Sequence, residues 1–456
     1  MGNRFLTKIK RIAALVLLAF AMAFASPAWA GTKLPSLQAL IDAAKPGDII
    51  TPEPGIYAGP LVINKPLTLD GRGQVTIDSG GVGSVIVLEA DGATVRNLHL
   101  TNTGESHNDL DSGIQVRGNY NVIKDNVISD SLFGIEIEKS NNNVVLRNRI
   151  GSKDFAVGVR GDGIRLWYSN DNRIEENTVT DSRDVVMWYS RNNVFAGNTI
   201  SGGRYGLHFM YAQHNVVKNN RFIRSSVGTF LMYSDIVELR NNYISHALGA
   251  SGMGIGMKES SDVTVEDNTI VYSATGIYMD VSPYQPGTIN KIKRNHLAYN
   301  SIGILFHNDW TGNELEDNRF DSNYVQVSVN SGASARRNAW GGNYWDDYQG
   351  FDRDGDGIGD TPHEKRVYAD RLWMDVPAAS FFKGSAVLSM LDFLERLAPF
   401  SEPIVLLSDP RPKMTPDVQV VRANQQNEEH EQDQDDDKLK YDPFGLSKRV
   451  PKYMQE

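Results

Sequence analysis

The sequence predicts an all-β protein, a right-handed parallel β-helix of about ten or more coils, with a helix at each end. The pattern N-x-[apolar]-x-x-N-x-[apolar] starts at residues 121, 143, 172, 193, 215, 290, 313 and 338. Two further copies, at 237 and 263, keep the second Asn and carry Val in place of the first. A second pattern, G-[apolar]-x-[apolar], lies between successive copies. Short alternating strands with Asn at fixed corners are typical of stacked β-coils.

The repeats also predict how each coil is packed. Ile, Val, Leu and Phe alternate with polar residues, so they are expected to fill the interior, while the Asn residues form amide ladders at the turns. The right-handed coil follows from the usual handedness of parallel crossover connections. We therefore interpret nearly all of the Asn residues as structural, and not as a sugar-binding or catalytic array.

Composition divides the chain around the repeats. An amphipathic helix that begins after Pro35 is expected to cap the first coil, and a helix near the C-terminus to cover the last one, because uncovered end strands would pair with other chains. The predicted segments after the leader are an N-terminal cap with the first coils (31–110), the Asn-ladder region (111–345), an acidic Asp/Gly loop region (346–376), a C-terminal helix (377–400) and a Pro-rich, acidic, largely extended or disordered tail (401–456).

Residues 1–30 are typical of a cleavable signal peptide: basic residues precede an apolar run, and Ala28-Trp29-Ala30 forms a small-x-small cleavage site. Cleavage near Ala30/Gly31 changes the formal net charge from −10 to −14, because the leader carries four positive charges and no negative ones. An acidic exported chain is a poor partner for nucleic acid. The sequence has no cysteine, so a soft metal would have to be bound by Met and His.

Met and His residues gather on consecutive G-[apolar]-x-[apolar] strands. In such a strand the first and third residues after the Gly point inward, so the second and fourth point outward. His208 takes a second position, and Met210 and Met232 take fourth positions on neighbouring coils. Imidazole and thioether suit copper(I), so the sequence predicts a copper(I) site at these residues, with His307 as a further candidate. The alternative is a protein-docking face in which the Met residues are soft packing residues.

The same outward positions carry aromatic residues. Trp167 and Trp188 precede Met210 on this line, and an exposed apolar patch of this kind usually marks a binding surface. Both Trp residues are therefore predicted to contact a partner protein. Three other Met residues fall on inward positions and are predicted to be core residues: Met187, Met257 and Met279.

The coil lengths predict a groove beside this face. Four insertions are expected at one corner, just before the G-[apolar] strand, where they would form a wall of loops. They cover residues 101–111, 151–162, 245–253 and 281–289. The loops add His107, His246 and Met253 as possible copper ligands.

An acidic loop after the repeats matches part of a calcium-binding loop. Its carboxylates take the first, third, fifth and ninth positions. They are Asp352, Asp354, Asp356 and Asp360. The twelfth position is His363, where an EF-hand has Glu. We therefore predict either a local calcium-bound turn or a plain Asp/Gly turn network, and not a calcium sensor.

The Asn-rich coils, the signal peptide and the stretch GGNYWDDYQGFDRDGDGIGDTP at 341–362 together resemble the NosD family, whose members are periplasmic maturation factors of nitrous oxide reductase. The resemblance covers nearly the whole mature chain. It implies a periplasmic protein that is not an enzyme and that is membrane-associated through an ABC permease with a cytoplasmic ATPase. Such a protein assists assembly of the copper-sulfur centre of the reductase and binds or hands on copper. A copper-delivering chaperone would be a further partner.

The C-terminal end is predicted to dock on the periplasmic side of that permease. Phe381 and Phe382 lie at the start of the predicted C-terminal helix and are not needed for its capping stripe. The polar linker 401–423 would let this end of the molecule extend to a partner.

A rival function from another class is that of a carbohydrate-active enzyme, a lyase, epimerase or hydrolase acting on an acidic polysaccharide. It requires a positive groove and an acid/base pair on neighbouring coils. The outward candidates are Arg165, Lys258, Asp280 and His307. The acidic mature chain and the Trp, Met and Tyr residues of the groove favour the first interpretation over this one.

Overall fold

The computed structural model describes residues 34–330, 334–367, 382, 385–397 and 404–416. Over these residues the chain forms a right-handed parallel β-helix of about 13 turns, which confirms the predicted fold class. The predicted signal peptide, Phe381 and most of the tail lie outside the described residues. None of the described helices is long and apolar enough to cross a membrane.

Each coil contributes one strand to each of three faces, which we call faces A, B and C. Face A holds the strands that follow the repeated Gly, face B the strands after the first Asn corner, and face C the strands after the second. Each strand pairs in parallel with its counterpart on the next coil.

Face A consists of Leu61–Ile63, Ile86–Leu88, Ser112–Val116, Phe133–Glu138, Ile164–Trp167, Asp184–Trp188, the second halves of Thr199–Met210 and Arg221–Met232, Met253–Lys258, Thr275–Asp280, Ile302–Phe306 and Val325–Val329. Face B consists of Ile49–Ile50, the first halves of Thr68–Asp78 and Thr94–Thr101, Val122–Lys124, Val144–Leu146, Arg173–Glu175, Val194–Ala196, Val216–Lys218, Glu238–Arg240, Thr264–Glu266, Asn290–Lys293, Asn313–Glu316 and Ala339–Gly341. Face C consists of Gly55–Ala58, the second halves of Thr68–Asp78 and Thr94–Thr101, Val127–Ser131, Arg149–Ser152, Thr178–Thr180, the first halves of Thr199–Met210 and Arg221–Met232, Tyr243–Ser245, Thr269–Val271, His296–Ala298, Arg319–Asp321 and Tyr344–Trp345.

The interior is a continuous apolar column. Inward residues of successive coils stack on one another, as Phe195 and Phe222 do with ring centroids 6.4 Å apart. The three Met residues predicted to be inward are buried, which confirms that prediction: Met187, Met257 and Met279. Burial of this apolar surface is the main favourable term for the fold, since the chain has no disulfide.

Asn ladders close the corners between the faces. At the second corner an unbroken ladder runs from Asn126 to Asn343, and each backbone N–H donates to the Oδ1 of the Asn one coil further on. In Asn148, for example, Oδ1 accepts from the backbone of Asn126 at 3.1 Å and Nδ2 donates to the carbonyl of Ile123 at 3.0 Å. One side chain therefore satisfies buried backbone groups of the preceding coil, which explains why Asn recurs at this position.

The first-corner ladder is interrupted where the sequence replaces Asn by Val. Val237 and Val263 are both fully buried, so they fill the interior with apolar atoms where the other coils place an amide. The ladder resumes at Asn290, whose Oδ1 accepts from the backbone N–H of Val263 at 3.0 Å. The prediction that the Asn residues are structural is thereby confirmed at both corners.

A short helix, Gln38–Ala43, caps the first coil. Leu37 and Ile41 of this segment are buried against the solenoid. The side chain of Gln38 accepts from the backbone N–H of Val62 at 2.9 Å and donates to its carbonyl at 3.1 Å. The amide of Gln38 thus takes the place of a neighbouring strand along the free edge of the first face A strand.

The last coil is covered by a strand and not by the predicted C-terminal helix, so that prediction is wrong. His363–Val367 and Ile404–Asp409 form an antiparallel pair, the capping hairpin, whose Leu406 and Leu407 are fully buried. The carbonyl of Leu406 accepts from the backbone of Ala335 at 2.8 Å. Residues 404–416 of the predicted tail are therefore ordered on the solenoid. An apolar stripe predicts that a helix has an apolar binding partner, but the stripe alone does not identify that partner.

Asp409 completes the Asn ladder at this end. Its Oδ2 accepts from the backbone N–H of Asn343 at 3.1 Å, from Nδ2 of Asn343 at 2.8 Å and from Nε1 of Trp345 at 3.1 Å. The carboxylate stands where the next coil would present the Oδ1 of another Asn. The ladder thus ends on a charged acceptor supplied by the capping hairpin.

The C-terminal helix itself spans Ala386–Leu397, inside the predicted range 377–400. Its described apolar residues do not pack on the solenoid but are exposed. They are Val387, Met390, Phe393, Leu394 and Leu397.

We expect Asp409→Ala to lower the free energy of unfolding by about 1–3 kcal/mol, because it leaves buried donors of Asn343 and Trp345 without an acceptor. Urea unfolding followed by circular dichroism measures the change. Asp154→Ala, at an exposed position, is the matched control and should change stability by less than about 0.5 kcal/mol. Equal stability of the two variants would contradict the role of Asp409.

Candidate functional site

The predicted copper ligands lie on the outer surface of face A. Trp188, Met210, Met232 and Lys258 are aligned in register on four successive coils. Neighbouring coils are about 4.8 Å apart, so the two Met residues are direct neighbours. The predicted alternation of inward and outward residues is therefore confirmed on these coils.

The His208 side chain is buried among aromatic rings. Its ring stacks on that of Tyr205 with centroids 4.7 Å apart at an angle of 27°. Trp188 meets it edge to face at 5.8 Å, and Phe230 lies at 6.4 Å. Nε2 of His208 is 3.2 Å from Sδ of Met232, while Nδ1 is buried without a hydrogen-bond partner among the described residues.

Burial lowers the pKa of His208 to about 4. The carboxylate of Asp184 opposes the shift, whereas the guanidinium groups of Arg204 and Arg183 add to it. The imidazole is therefore neutral at neutral pH, and a metal ion would not have to displace a proton from a charged ring.

The donor set fits copper(I). A neutral imidazole nitrogen and a thioether sulfur are soft or borderline ligands, and both face the same side of the strand. With bonds of about 2.0 Å to nitrogen and 2.3 Å to sulfur, two ligands of one ion stand roughly 3.5 Å apart. The 3.2 Å separation between Nε2 of His208 and Sδ of Met232 is close to that value. Met210, one coil before Met232, is the nearest further thioether by register.

The structure does not bring His307 into this cluster. Between the coil of Met232 and that of His307 lie the coils of Lys258 and Asp280, so three coil steps of about 4.8 Å separate them. His307 is bonded instead to the hydroxyl of Tyr278, with 3.1 Å between Oη and Nδ1. The copper candidates that stay together are therefore His208, Met210 and Met232.

The additional ligands suggested by the loops are scattered. His107 is 3.0 Å from the carbonyl of Val159 through Nε2, in the wall of loops near the N-terminal coils. His246 stacks on Tyr272 at 5.3 Å. Met253 begins the strand that follows that of Met232 on face A.

The predicted position just before a face A strand is confirmed for three of the four insertions. Residues 101–111, 151–162 and 245–253 come before face A strands, and 151–162 contains the short 3-10 helix Val157–Val159. The prediction is wrong for 281–289, which follows the strand Thr275–Asp280 and precedes face B. The length of a coil does not show on which side of a strand its extra residues leave the solenoid.

Trp167 and Trp188 are half-buried, and they pack on each other with ring centroids 5.7 Å apart. The guanidinium of Arg165 lies over both rings, at 4.7 Å from that of Trp167 and 5.7 Å from that of Trp188. Only part of each indole is accessible to a partner. Nε1 of Trp188 is buried without a hydrogen-bond partner among the described residues.

A stack of tyrosines beside this face was not expected from the sequence. Tyr168, Tyr189, Tyr211 and Tyr233 lie on successive coils, with neighbouring ring centroids 4.8, 5.3 and 4.9 Å apart. Each has a positive φ of about 50° and follows directly the outward Trp or Met of its coil. The recurring pair of Trp or Met followed by Tyr is the signal that could have revealed the stack.

A buried ionic cluster lies next to the aromatic residues. Oε1 of Glu136 accepts from Arg165 at 2.7 Å, while its Oε2 has no hydrogen-bond partner among the described residues. Asp162 pairs with Arg183 at 2.9 Å, and Arg183 also lies 3.6 Å from Asp184. Sequence reasoning singled out Arg165 but missed its carboxylate neighbours, because charged side chains on outward positions are usually solvated.

Burial raises the pKa of Glu136 to about 7, although Arg165 opposes the shift. It likewise raises the pKa of Asp162 to about 6, against the effect of Arg183. Two carboxyl groups of this cluster therefore bind protons close to neutral pH.

Of the residues proposed for a carbohydrate-active enzyme, Lys258, Asp280 and His307 lie on three successive coils of face A. Arg165 lies four coil steps before Lys258 and does not join them. Arg165 donates to Glu136 and is largely buried, so little of its guanidinium is accessible to a substrate. Burial, and then Asp280, raise the pKa of Tyr278, which keeps the phenol beside His307 protonated at neutral pH.

Carboxylate oxygens of Asp352, Asp354 and Asp356 lie within 4.8 Å of one another in the acidic loop. Asp352 accepts from the backbone N–H groups of Gly355 at 2.7 Å and Gly357 at 2.9 Å. Asp360 accepts instead from the backbone of Arg353 at 3.0 Å. These bonds account for the turn without an ion, and calcium at this loop stays a prediction.

The fold and the outward residues define a right-handed parallel β-helix protein with His and Met side chains grouped on one outer face. The chain belongs to the NosD family. A relative from Pseudomonas aeruginosa (strain PAO1), named "Probable ABC transporter binding protein NosD", is 30% identical over 375 residues, which cover 76% of this chain and 83% of the relative. A relative of the same name from Stutzerimonas stutzeri is 27% identical over 378 residues, covering 76% and 82%. The family model described as "Periplasmic copper-binding protein (NosD)" matches residues 146–350.

A solved structure with a similar fold is the A-module of the mannuronan C-5 epimerase AlgE6 from Azotobacter vinelandii. It superposes with a TM-score of 0.55 at 16% identity, over 68% of this chain and 95% of that one. At this identity the likeness concerns the fold alone, because one solenoid can carry unrelated sites.

We expect Glu136 and Asp162 to contribute stability that falls as pH rises between about pH 5 and pH 7. His208, whose pKa is lowered, contributes in the opposite direction below pH 6.5. The pKa of Glu136 is about 7 in the folded state and 4.5 without its surroundings, so between these values the folded state holds an extra proton. This group then contributes a slope of up to about 1.4 kcal/mol per pH unit, and Asp162 acts in the same direction.

Glu136→Gln should remove its part of this slope in urea titrations at several pH values. Glu138→Gln, two residues along the same strand, is the control and should keep the slope. An unchanged slope in Glu136→Gln would contradict the raised pKa.

Proposed function

We propose that this protein binds copper(I) in the periplasm at His208, Met210 and Met232. The observation that carries the proposal is the pairing of a buried, neutral imidazole with a thioether at 3.2 Å on an outer face. The family description as a periplasmic copper-binding protein, which covers these residues, supports it. So does the absence of cysteine, which leaves Met and His as the soft ligands of the chain.

The residues around the site would have separate tasks in binding the ion. Tyr205 and Trp188 hold the His208 ring so that Nε2 points along the face toward Met232. The thioethers of Met210 and Met232 are half-buried, so they can reach an ion that arrives from solvent and still exclude water from one side of it. A site with few ligands and an accessible side suits an ion that is taken up and passed on.

We propose further that the bound copper serves the maturation of nitrous oxide reductase. The protein would assist assembly of the copper-sulfur centre together with an ABC permease and its cytoplasmic ATPase, with copper received from a delivering chaperone. The names of the relatives, as ABC transporter binding proteins, support a binding role and an association with a transporter. No catalytic step is assigned to the chain.

A competition titration with a chromophoric copper(I) chelator under anaerobic conditions tests the site. The double variant Met210→Leu, Met232→Leu should lose at least about ten-fold in copper(I) affinity, because leucine has no donor atom. Its stability should change by less than about 1.5 kcal/mol, since volume is conserved.

Met257→Leu is the matched control, because it makes the same substitution inside the solenoid and should leave the affinity unchanged. If the double variant binds copper(I) as tightly as the parent, these residues are not ligands and the face has only a docking role.

We also propose that the C-terminal end contacts the permease, with Phe381 and Phe382 at the contact. Phe382 is exposed, with 58% of its surface accessible. The role expected for the linker 401–423 is restricted to its part after residue 416, because Ile404–Asp409 belongs to the capping hairpin. Trp167 and Trp188 would form a second contact, for the reductase, beside the copper site.

Phe382→Ser should weaken co-purification with the membrane complex while the melting temperature stays within a few degrees of the parent value. Val82→Ser is the control, because it removes an apolar residue of similar exposure in the N-terminal part of the chain. Truncation after residue 416 should keep the fold, whereas truncation after Ser401 would remove the capping strand. If Phe382→Ser and the truncation at 416 both bind the complex like the parent, the contact lies elsewhere.

A further inference from the structure

The C-terminal helix is tethered to the end of the solenoid on both sides. It lies in sequence between the two strands of the capping hairpin, His363–Val367 and Ile404–Asp409, which are paired with each other. Only residues 398–403 connect the helix to the second strand, and six residues span at most about 20 Å. The helix Ala386–Leu397 therefore stays near the C-terminal end of the β-helix.

One side of this helix is apolar and exposed. Between 41% and 70% of the surface of five large side chains is accessible. They are Val387, Met390, Phe393, Leu394 and Leu397. At about 100° per residue, these positions fall within an arc of about 120° on the helix surface. An arc of this width is a continuous apolar face and not a set of scattered residues.

The size of this face decides between possible occupants. From their exposed fractions, the five side chains present roughly 500 Å² of surface, which reaches the size at which an exposed apolar patch marks a binding site. A stable interface with a second copy needs about 800 Å² from each partner. The helix alone is too small for such an interface, whereas insertion at a lipid surface depends on apolar area without a fixed partner shape.

We infer that this helix lies in the surface of a lipid bilayer, with its apolar face at the boundary between headgroups and acyl chains. A helix of 12 residues is about 18 Å long, enough to lie in the membrane surface and too short to span it.

The charges of the helix specify the kind of lipid surface. Asp392, Glu395 and Arg396 give the segment a net charge of −1, so it offers no basic face for anionic headgroups. Binding should therefore depend on apolar area, take place on zwitterionic phosphatidylcholine and change little with salt.

This placement sets the position of the copper candidates relative to the membrane. On face A, five coil steps of about 4.8 Å separate the strand of His208 from the last strand, Val325–Val329. With the C-terminal end at the bilayer, His208 and Met232 would stand roughly 20–25 Å above its surface, within reach of a soluble partner. The inference does not depend on copper binding, which the chelator titration tests separately.

Flotation of the mature protein with phosphatidylcholine vesicles tests the inference. The parent should float with the vesicles, and the double variant Phe393→Ser, Leu397→Ser should lose at least ten-fold in partition coefficient without a lower melting temperature. Leu40→Ser with Ile56→Ser, two similarly exposed apolar residues at the other end of the solenoid, is the matched control and should float like the parent.

A second measurement reports the position of the helix directly. Because the chain has no cysteine, Leu397→Cys can be labelled with a single environment-sensitive dye, whose emission should shift to the blue when vesicles are added. Absence of flotation by the parent, equal flotation of the Phe393/Leu397 variant, or an unshifted dye would each overturn the inference. Flotation only with vesicles that contain the permease complex would overturn it in favour of a protein contact.

Discussion

The hydrogen bonds between successive coils are the constraint on which the rest of this structure depends. The backbone of each strand is paired in register with the next coil, and an Asn at each second corner joins the turns by the same type of bond. A shift of one residue in this register would exchange inward and outward side chains. The position of His208 next to Met232 therefore follows from this register.

Features that recur in every coil could be predicted from the sequence, whereas contacts that occur only once in the structure could not. The spacing of Asn and Gly predicted the coils, and alternation within the strand predicted that His208, Met210 and Met232 face outward. The capping role of Asp409 was not predictable, because its partner Asn343 is 66 residues away and no repeat connects them. The sequence also could not show that Tyr205 supplies the ring on which His208 stacks, because Tyr205 precedes the repeated Gly and lies outside the alternating residues.

Several buried polar atoms of this structure have no hydrogen-bond partner among the described residues. Three of them lie on the outer surface of face A, in Glu136, Trp188 and His208, and others lie elsewhere, for example in Asn121 and His296. Each such atom costs about 1–3 kcal/mol in a folded protein. The apolar column and the many paired amides of the solenoid can offset this unfavourable free energy. Departures from local consistency of this kind concentrate at functional sites.

The last rung of the Asn ladder has a consequence for the order in which the molecule is completed. Coils can stack as the chain emerges from its N-terminus, since each needs only the coil before it. The final coil, by contrast, keeps an open edge until Asp409 and the strand that carries it have been made, and the helix Ala386–Leu397 is formed in between. Closing the solenoid therefore also draws the two ends of that helical segment together. A chain that stops short of residue 409 would leave a free edge, open to pairing with another molecule, and an untethered apolar segment.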